Sequence, residues 1–452
     1  MIETIKAQIA QNNLTYFIET YGCQMNTHDS EKISGILESL GYCPAVDKEG
    51  ADLILFNTCC IREHAEQRLY GNIGALKKHK DTNPAAIIGV CGCMMQQEDT
   101  AQELLARFKF VDIVFGTNKV HQLPDMLHDV MVDGKKAAYT DEDTSIVEGV
   151  STKRGSASSA YVNIIYGCNN YCTYCIVPYV RGAERSRNSA DILQEVNKLC
   201  SEGVSEITLL GQNVNSYGTD LENDLTFAQL LAEIDANTQV KRLRFMTSHP
   251  KDLTDALIEC YGELKSLCEH IHLPVQSGSN DVLERMNRRY TREQYISLVQ
   301  RLRARVPSIA ITTDIIVGFP GETEEEFEQT LLLAKQIGFD SAYTFVYSRR
   351  PGTVAADMPD FVDKDTKSER LARLNNVIKA SMKEKNSIYS GQIVQVLVDN
   401  ESKRKGGEVG GRTRTAKTVN FYGDVSDVGK MVNVRIDKVK VHTLFGTKIE
   451  ED

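Results

Sequence analysis

Three cysteines fall within eight residues, in the run Cys168-Asn169-Asn170-Tyr171-Cys172-Thr173-Tyr174-Cys175. This C-x3-C-x2-C spacing suits three corners of a 4Fe–4S cluster and leaves the fourth iron without a protein ligand. An open iron can bind a small molecule and pass it an electron, so the chemistry indicated is radical chemistry carried by a cofactor. Zinc is the main competitor, but a structural zinc site takes four closed ligands. The nearest further Cys or His is Cys200, 25 residues on.

A second set is dispersed. Cys23, Cys59 and Cys93 are separated by 36 and 34 residues, and each follows a short apolar run, at 15–20, 53–57 and 86–90. Ile33, Ile36, Leu37 and Leu40 mark a helical face between the first two runs. One strand–helix unit of a parallel sheet occupies about 35 residues. Three such units would bring all three cysteines to the carboxyl edge of the sheet, where α/β proteins bind ligands. Spacing alone leaves the assignment open, because Cys60 and Cys91 are rival ligands and free cysteines are often simply buried. Cys43, Cys200, Cys260 and Cys268 sit in or beside helical patterns and read as packing residues.

The elements around these residues imply more than one domain in a chain of 452 residues. Residues 14–145 carry the strand–helix alternation of the dispersed cysteines, and 141–159 is a polar, Ser/Gly/Thr-rich linker. From 154 to 380 a strand-then-helix pattern repeats six times, with strands at 161–166, 206–210, 242–247, 270–275, 310–317 and 342–347. Six parallel strands joined by helices predict an incomplete version of the eightfold barrel, with the compact triplet after its first strand. Residues 383–449 are β-rich and glycine-punctuated, with strands at 393–398, 418–422 and 431–439, the pattern of a small β-barrel.

Twelve cysteines and a polar, mixed-charge start predict a reduced, cytoplasmic protein. No apolar run nears the ~18 residues that span a bilayer, so no membrane is expected. The net charge is −10, yet residues 391–449 hold 11 Lys/Arg against 6 Asp/Glu. Lys403-Arg404-Lys405 and the group Arg412, Arg414 and Lys417 are either a phosphate-binding face or a solvated basic loop. No Ser–His–Asp or paired-carboxylate site emerges. His249 and His272 read as structural or ligand-lining groups.

With these residues in hand, the chain resembles the radical S-adenosylmethionine (SAM) methylthiotransferase family from about residue 15 to 449. The compact triplet, with Tyr174 before its last cysteine, is similar to the superfamily signature. The amino-terminal segment resembles the methylthiotransferase domain, whose three cysteines align with Cys23, Cys59 and Cys93, and the tail resembles the RNA-binding TRAM barrel. Thr20-Tyr21-Gly22-Cys23-Gln24-Met25-Asn26 resembles the branch acting on isopentenyl-adenosine beside the tRNA anticodon. Sister branches usually read Gly-Cys-Lys-x-Asn or Gly-Cys-Pro-Lys-Asn there. The run Phe56-Asn57-Thr58-Cys59-Cys60-Ile61-Arg62-Glu63 and the run Gly411-Arg412-Thr413-Arg414-Thr415 agree. Cys60 stands where a small residue is usual, and Ala183 and Arg185 depart from the commoner Arg and Val.

The resemblance implies an α/β chain of three parts: a parallel-sheet domain, a (β/α)6 radical SAM barrel and a TRAM barrel. It implies two 4Fe–4S clusters, one cleaving SAM and one carrying the sulfur to be inserted. SAM is then expected across the carboxyl ends of the barrel strands, near Tyr174, Gln212, Asn213, Gln276, Ser277 and Gly318. Glu184 and Arg187 are expected to pair with its amino and carboxylate groups. Arg412, Arg414 and Lys417 become candidate tRNA contacts. A flavodoxin- or ferredoxin-type electron donor and a sulfur donor complete the expected partners.

Overall fold

The computed structural model describes all residues except 61, 62, 142, 223, 402–406 and 450–452, so the basic group Lys403-Arg404-Lys405 lies outside the described residues. The chain forms two compact units, Met1–Gly155 with Ile176–Ala183, and Ser156–Cys175 with Glu184–Asp452.

In the first unit the strands are β1 (Thr15–Thr20), β2 (Cys43–Pro44), β3 (Leu53–Thr58), β4 (Ile87–Gly92), β5 (Ile113–Phe115) and β6 (Ala137–Tyr139). They form one parallel sheet in the order β2-β1-β3-β4-β5-β6. Every residue of β3 and β4 is buried, because helices cover both faces. Strand alternation divides them: Leu53, Leu55 and Cys91 join Ile33, Leu37 and Leu40 of helix Gln24–Leu40. Ile54, Phe56, Ile88 and Val90 join Leu69 and Ile73 on the other face. The expected linker is partly docked, since the Lys153 amide donates to Glu31 O (2.9 Å) and the Gly155 amide to Glu31 Oε1 (3.1 Å).

The second unit contains β7 (Ser159–Asn163), β8 (Ile165–Tyr166), β9 (Arg185–Ser186), β10 (Glu206–Leu210), β11 (Arg242–Phe245), β12 (His270–His272), β13 (Ala310–Val317) and β14 (Ser341–Val346). Two parallel ladders, β11-β10-β7 and β12-β13-β14, are linked by a bridge between Leu243 and Leu267, giving the six-stranded partial barrel. The first predicted strand is in fact two: β7 enters the barrel, whereas β8 turns away to pair antiparallel with β9. Threonines 226, 291 and 323 open three of the covering helices with reciprocal caps.

The tail closes as a five-stranded barrel, β15 (Ile393–Glu401), β16 (Glu408–Arg412), β17 (Thr418–Tyr422), β18 (Met431–Val439) and β19 (Leu444–Lys448), in the order β15-β16-β17-β19-β18. Strands β16 and β19 have no counterpart among the predicted ones, because Gly410, Gly411 and Gly446 weaken their strand pattern. Among the cysteines read as packing residues, Cys260 and Cys268 are buried and Cys200 lies partly buried against the core. Cys43 is the exception, exposed in the short edge strand β2.

Candidate functional site

In the second unit, the β8–β9 pair clamps the two ends of the loop that carries the compact triplet. The Asn169 amide donates to Glu184 Oε1 (3.2 Å) and the Glu184 amide donates to Asn169 Oδ1 (3.1 Å), closing the loop again. Inside it Tyr171 adopts a left-handed backbone, φ 47°, unusual for an aromatic residue. Asn287 holds that bend by donating to the carbonyls of Asn170 (3.3 Å) and Tyr171 (3.0 Å). Asn170 Nδ2 donates to Cys168 Sγ (3.4 Å), and burial raises the Cys168 thiol above its ordinary range. Arg288, 4% exposed, donates from Nη1 to Cys172 Sγ (3.3 Å) and from Nη2 to Pro274 O (2.9 Å). Neither Asn287 nor Arg288 was a sequence candidate.

The residues expected around SAM divide by their bonds. Asn213 gives Nδ2 to Asp252 (2.7 Å), while its Oδ1 is buried without a partner in the protein. Gln276 Oε1, Ser248 Oγ and His249 Nε2 are buried in the same condition, and Gln276 has φ 69°. Such orphaned polar atoms at the carboxyl ends of barrel strands fit a polar ligand. Gln212 also follows β10, and the Gly318 amide donates to Glu322 Oε2 (2.6 Å) at φ 68°. Tyr174 packs edge-on to Phe319, at a centroid distance of 6.5 Å, and its hydroxyl accepts from Arg288 (3.5 Å). Two of the candidates are held within the fold. Arg187 bonds Asn163 O and Glu195, both at 2.7 Å. Ser277 is fully buried against Thr330 (3.2 Å). Glu184 is half-buried and occupied by the loop closure. Burial, then the nearby Arg288 charge, pushes His249 down to about 2, so it stays neutral and cannot act as a base near neutral pH.

In the first unit, Cys23, Cys59 and Cys93 follow β1, β3 and β4, which are neighbours in the sheet. Gly22 (φ 120°) lies so close that a Cβ would stand 2.6 Å from Cys59 Cβ, and a Cβ at Gly92 (φ 100°) would stand 2.4 Å from Thr58 O. Only glycine allows both turns at this packing. Asn26, 0% exposed, is the clasp: Nδ2 donates to Tyr21 O (3.0 Å) and Thr58 O (2.7 Å), tying the Cys23 loop to the Cys59 loop. Its Oδ1 faces Cys23 Sγ (3.6 Å), Cys93 Sγ (3.8 Å) and Arg181 Nη2 (3.3 Å). Arg181, 5% exposed, donates from Nε to Cys93 Sγ (3.3 Å) and from Nη2 to Asp29 Oδ2 (3.0 Å). A hydrogen bond from Cys60, followed by Arg181, holds the Cys93 thiol low and raises Cys60 in turn. Cys91 is sealed in the sheet, where burial pushes its thiol far up.

The donor sets also bear on zinc. Ligands of one tetrahedral zinc at ~2.3 Å Zn–S stand roughly 3.8 Å apart. Among the described residues, neither triplet has all its sulfurs within 4.8 Å of one another.

The tail candidates are largely committed within their own unit. Arg414 makes a forked pair with Glu269 (2.8–3.1 Å), and Lys417, 8% exposed, pairs with Asp340 (2.8 Å). Arg412 bonds Asp399 (3.0 Å), with its side chain 44% exposed. Arg244 donates to the carbonyls of Arg414 and Thr413, both at 2.7 Å, and Arg242 to Arg412 O (2.7 Å), fastening this turn to β11. Lys417 thus sits in a buried ion pair.

Known proteins place this architecture. Residues 15–116 match the Uncharacterized protein family UPF0004, 162–334 the Radical SAM superfamily and 388–449 the TRAM domain. The chain is 51% identical over 450 residues to the tRNA-2-methylthio-N(6)-dimethylallyladenosine synthase of Clostridium tetani, covering 99% of both chains. It is 52% identical over 438 residues to that of Caldicellulosiruptor saccharolyticus, covering 97% of this chain and 93% of the other. Among solved structures, the radical S-adenosylmethionine methyltransferase TsrM from Kitasatospora setae superposes with a TM-score of 0.56 at 13% identity, covering 87% of this chain and 79% of that one. This likeness shows the fold alone. Near-complete alignment at half identity settles the family: the chain belongs to the tRNA-2-methylthio-N(6)-dimethylallyladenosine synthases, within the radical SAM superfamily.

Proposed function

We propose that this chain inserts a methylthio group at carbon 2 of isopentenyl-adenosine beside the tRNA anticodon, using two 4Fe–4S clusters. The observation that carries the reading is the Asn26 clasp, which draws the loops of Cys23, Cys59 and Cys93 together around a second thiol set. An enzyme that only cleaved SAM would leave that set without a task. When bound, the cluster at Cys168, Cys172 and Cys175 supplies the electron that splits SAM into methionine and a 5′-deoxyadenosyl radical, and the one at Cys23, Cys59 and Cys93 supplies the sulfur.

The chain's own groups bind, orient and shield. Asn213 Oδ1, Gln276 Oε1 and Ser248 Oγ are free to accept or donate hydrogen bonds to the polar ends of SAM. Gly318 keeps the turn after β13 tight, since a Cβ there would stand 2.4 Å from Lys367 Cγ. Neutral His249 offers no strong base, in keeping with removal of the carbon 2 hydrogen as a hydrogen atom by the radical, which would leave as 5′-deoxyadenosine. The TRAM barrel contributes tRNA affinity through Arg412 and the outer face of its strands. A flavodoxin- or ferredoxin-type electron donor, a sulfur donor and a cytoplasmic setting complete the reading. No helix among the described residues is long and apolar enough to cross a membrane.

Mass spectrometry of nucleosides in tRNA from cells lacking the protein tests this. Loss of the methylthio form with accumulation of isopentenyl-adenosine is expected. Unchanged tRNA nucleosides would overturn the assignment.

A further inference from the structure

Each cysteine triplet has one buried arginine aimed at one sulfur. Arg288 Nη1 lies 3.3 Å from Cys172 Sγ, and Arg181 Nε lies 3.3 Å from Cys93 Sγ. The two differ in counter-charge. Arg181 shares its guanidinium with Asp29 at 3.0 Å, so that pair adds little net charge. The other partners of Arg288 are Pro274 O (2.9 Å), Tyr290 OH (3.2 Å) and Tyr174 OH (3.5 Å), all uncharged groups. Among the described residues no carboxylate pairs with it. Arginine does not release its proton in proteins, so a full positive charge is buried against the compact triplet.

Hydrogen bonds to cluster sulfurs and net charge around them both set reduction potentials. A cation in a low-dielectric site favours the form with one more electron. We propose that Arg288 is a positioning residue that raises the potential of the SAM-cleaving cluster, whereas Arg181, neutralised by Asp29, moves the second site much less. The step it assists is one-electron: a low-potential donor, flavodoxin- or ferredoxin-type or dithionite, is oxidised by one electron and the cluster goes from the 2+ to the 1+ state. No bond forms or breaks. The Arg181 half rests on the proposed second cluster, and the Arg288 half does not.

The test uses the full-length chain, reconstituted anaerobically with iron and sulfide. Redox titration followed by electron paramagnetic resonance, in a background with Cys23, Cys59 and Cys93 changed to Ala, isolates the compact site. Arg288→Gln is expected to move the midpoint to a more negative potential, with a smaller fraction reduced by a fixed dithionite dose, and Arg288→Lys to move it less. In the complementary background, lacking the compact triplet, Arg181→Gln is expected to shift the midpoint less than Arg288→Gln shifts its own. Pulsed resonance on otherwise unaltered protein labelled with 15N-arginine needs no substitution at Arg288 to fold. A 15N coupling at the reduced compact cluster, lost in Arg288→Lys, is expected. An unshifted midpoint in Arg288→Gln with its irons retained, or no 15N coupling, overturns the proposal. If the complementary background binds no iron, the second-cluster reading fails instead, and the Arg288 arm is decided separately.

Discussion

Replacing Asn26 by Ala should open the dispersed site and leave the compact one intact. Asn26 Nδ2 satisfies two buried carbonyls, Thr58 O at 2.7 Å and Tyr21 O at 3.0 Å, on the two loops that present Cys59 and Cys23. A buried acceptor stranded by deletion of its partner costs about 1–3 kcal/mol. Two of them, with partial relaxation, give about 2–4 kcal/mol concentrated on these loops. That is a large part of the 5–15 kcal/mol over which a domain is typically stable, yet it falls at the carboxyl edge of the sheet, on the last residue of β3 and the turn after β1, and not on the strand ladders. Arg181 keeps Asp29, so the second wall of the site remains. Asn26→Asp is the sharper variant: it keeps the volume but turns the donor into an acceptor facing Thr58 O, and so should do at least as much harm. Iron content per reconstituted chain should fall from about eight to about four, while SAM cleavage to deoxyadenosine under dithionite persists and methylthio insertion stops. If both variants keep full iron and unfold at the temperature of the unaltered chain, the clasp does not hold the site and the reasoning is wrong.

Changing Cys168, Cys172 or Cys175 to Ala should abolish deoxyadenosine formation and leave about four irons, whereas changing Cys23, Cys59 or Cys93 should spare SAM cleavage and stop sulfur insertion; iron analysis beside product chromatography separates the two. Cys60→Ala should keep both iron sets, and loss of four irons would show that Cys60, not Cys59, is the ligand. Arg412→Ala should weaken tRNA binding and flatten its salt dependence by roughly 0.7–0.9 log units per log unit of salt, while Lys417→Met should leave the slope unchanged because Lys417 is buried against Asp340, out of reach of a phosphate. Burial alone would raise the Glu269 carboxyl, but the Arg414 hydrogen bonds and charge outweigh it and hold it below its ordinary 4.5. A lowered folded value means that the pair's stabilisation is complete above pH 4.5 and is lost as pH falls through the folded value. Acid unfolding followed by circular dichroism should therefore show Glu269→Gln less stable than the unaltered chain at pH 6, with the difference shrinking as pH falls below 4.5.

Local facts were legible in the sequence. Eight residues suffice to present three thiolates, so the compact triplet needed no tertiary argument. The strand–helix period carried Cys23, Cys59 and Cys93 to one sheet edge, because a parallel sheet places successive strand ends on the same side. The tertiary structure decided what stands around the sulfurs. Arg181 comes six residues after Cys175 in the chain yet folds with the first unit and reaches Asn26, 155 positions away. Arg288 meets Cys172 across 116 positions. The tail shows the same limit from the other side. Arg412, Arg414 and Lys417 form a basic run, and a basic run is a property of neighbours in sequence. Whether it is free for phosphate depends on Glu269, 145 positions from Arg414, and Asp340, 77 from Lys417. Ligand spacing is fixed by covalent geometry over a few residues, whereas hydrogen-bond donors and counter-charges arrive through packing of distant segments, where periodicity and composition carry no record of the partner.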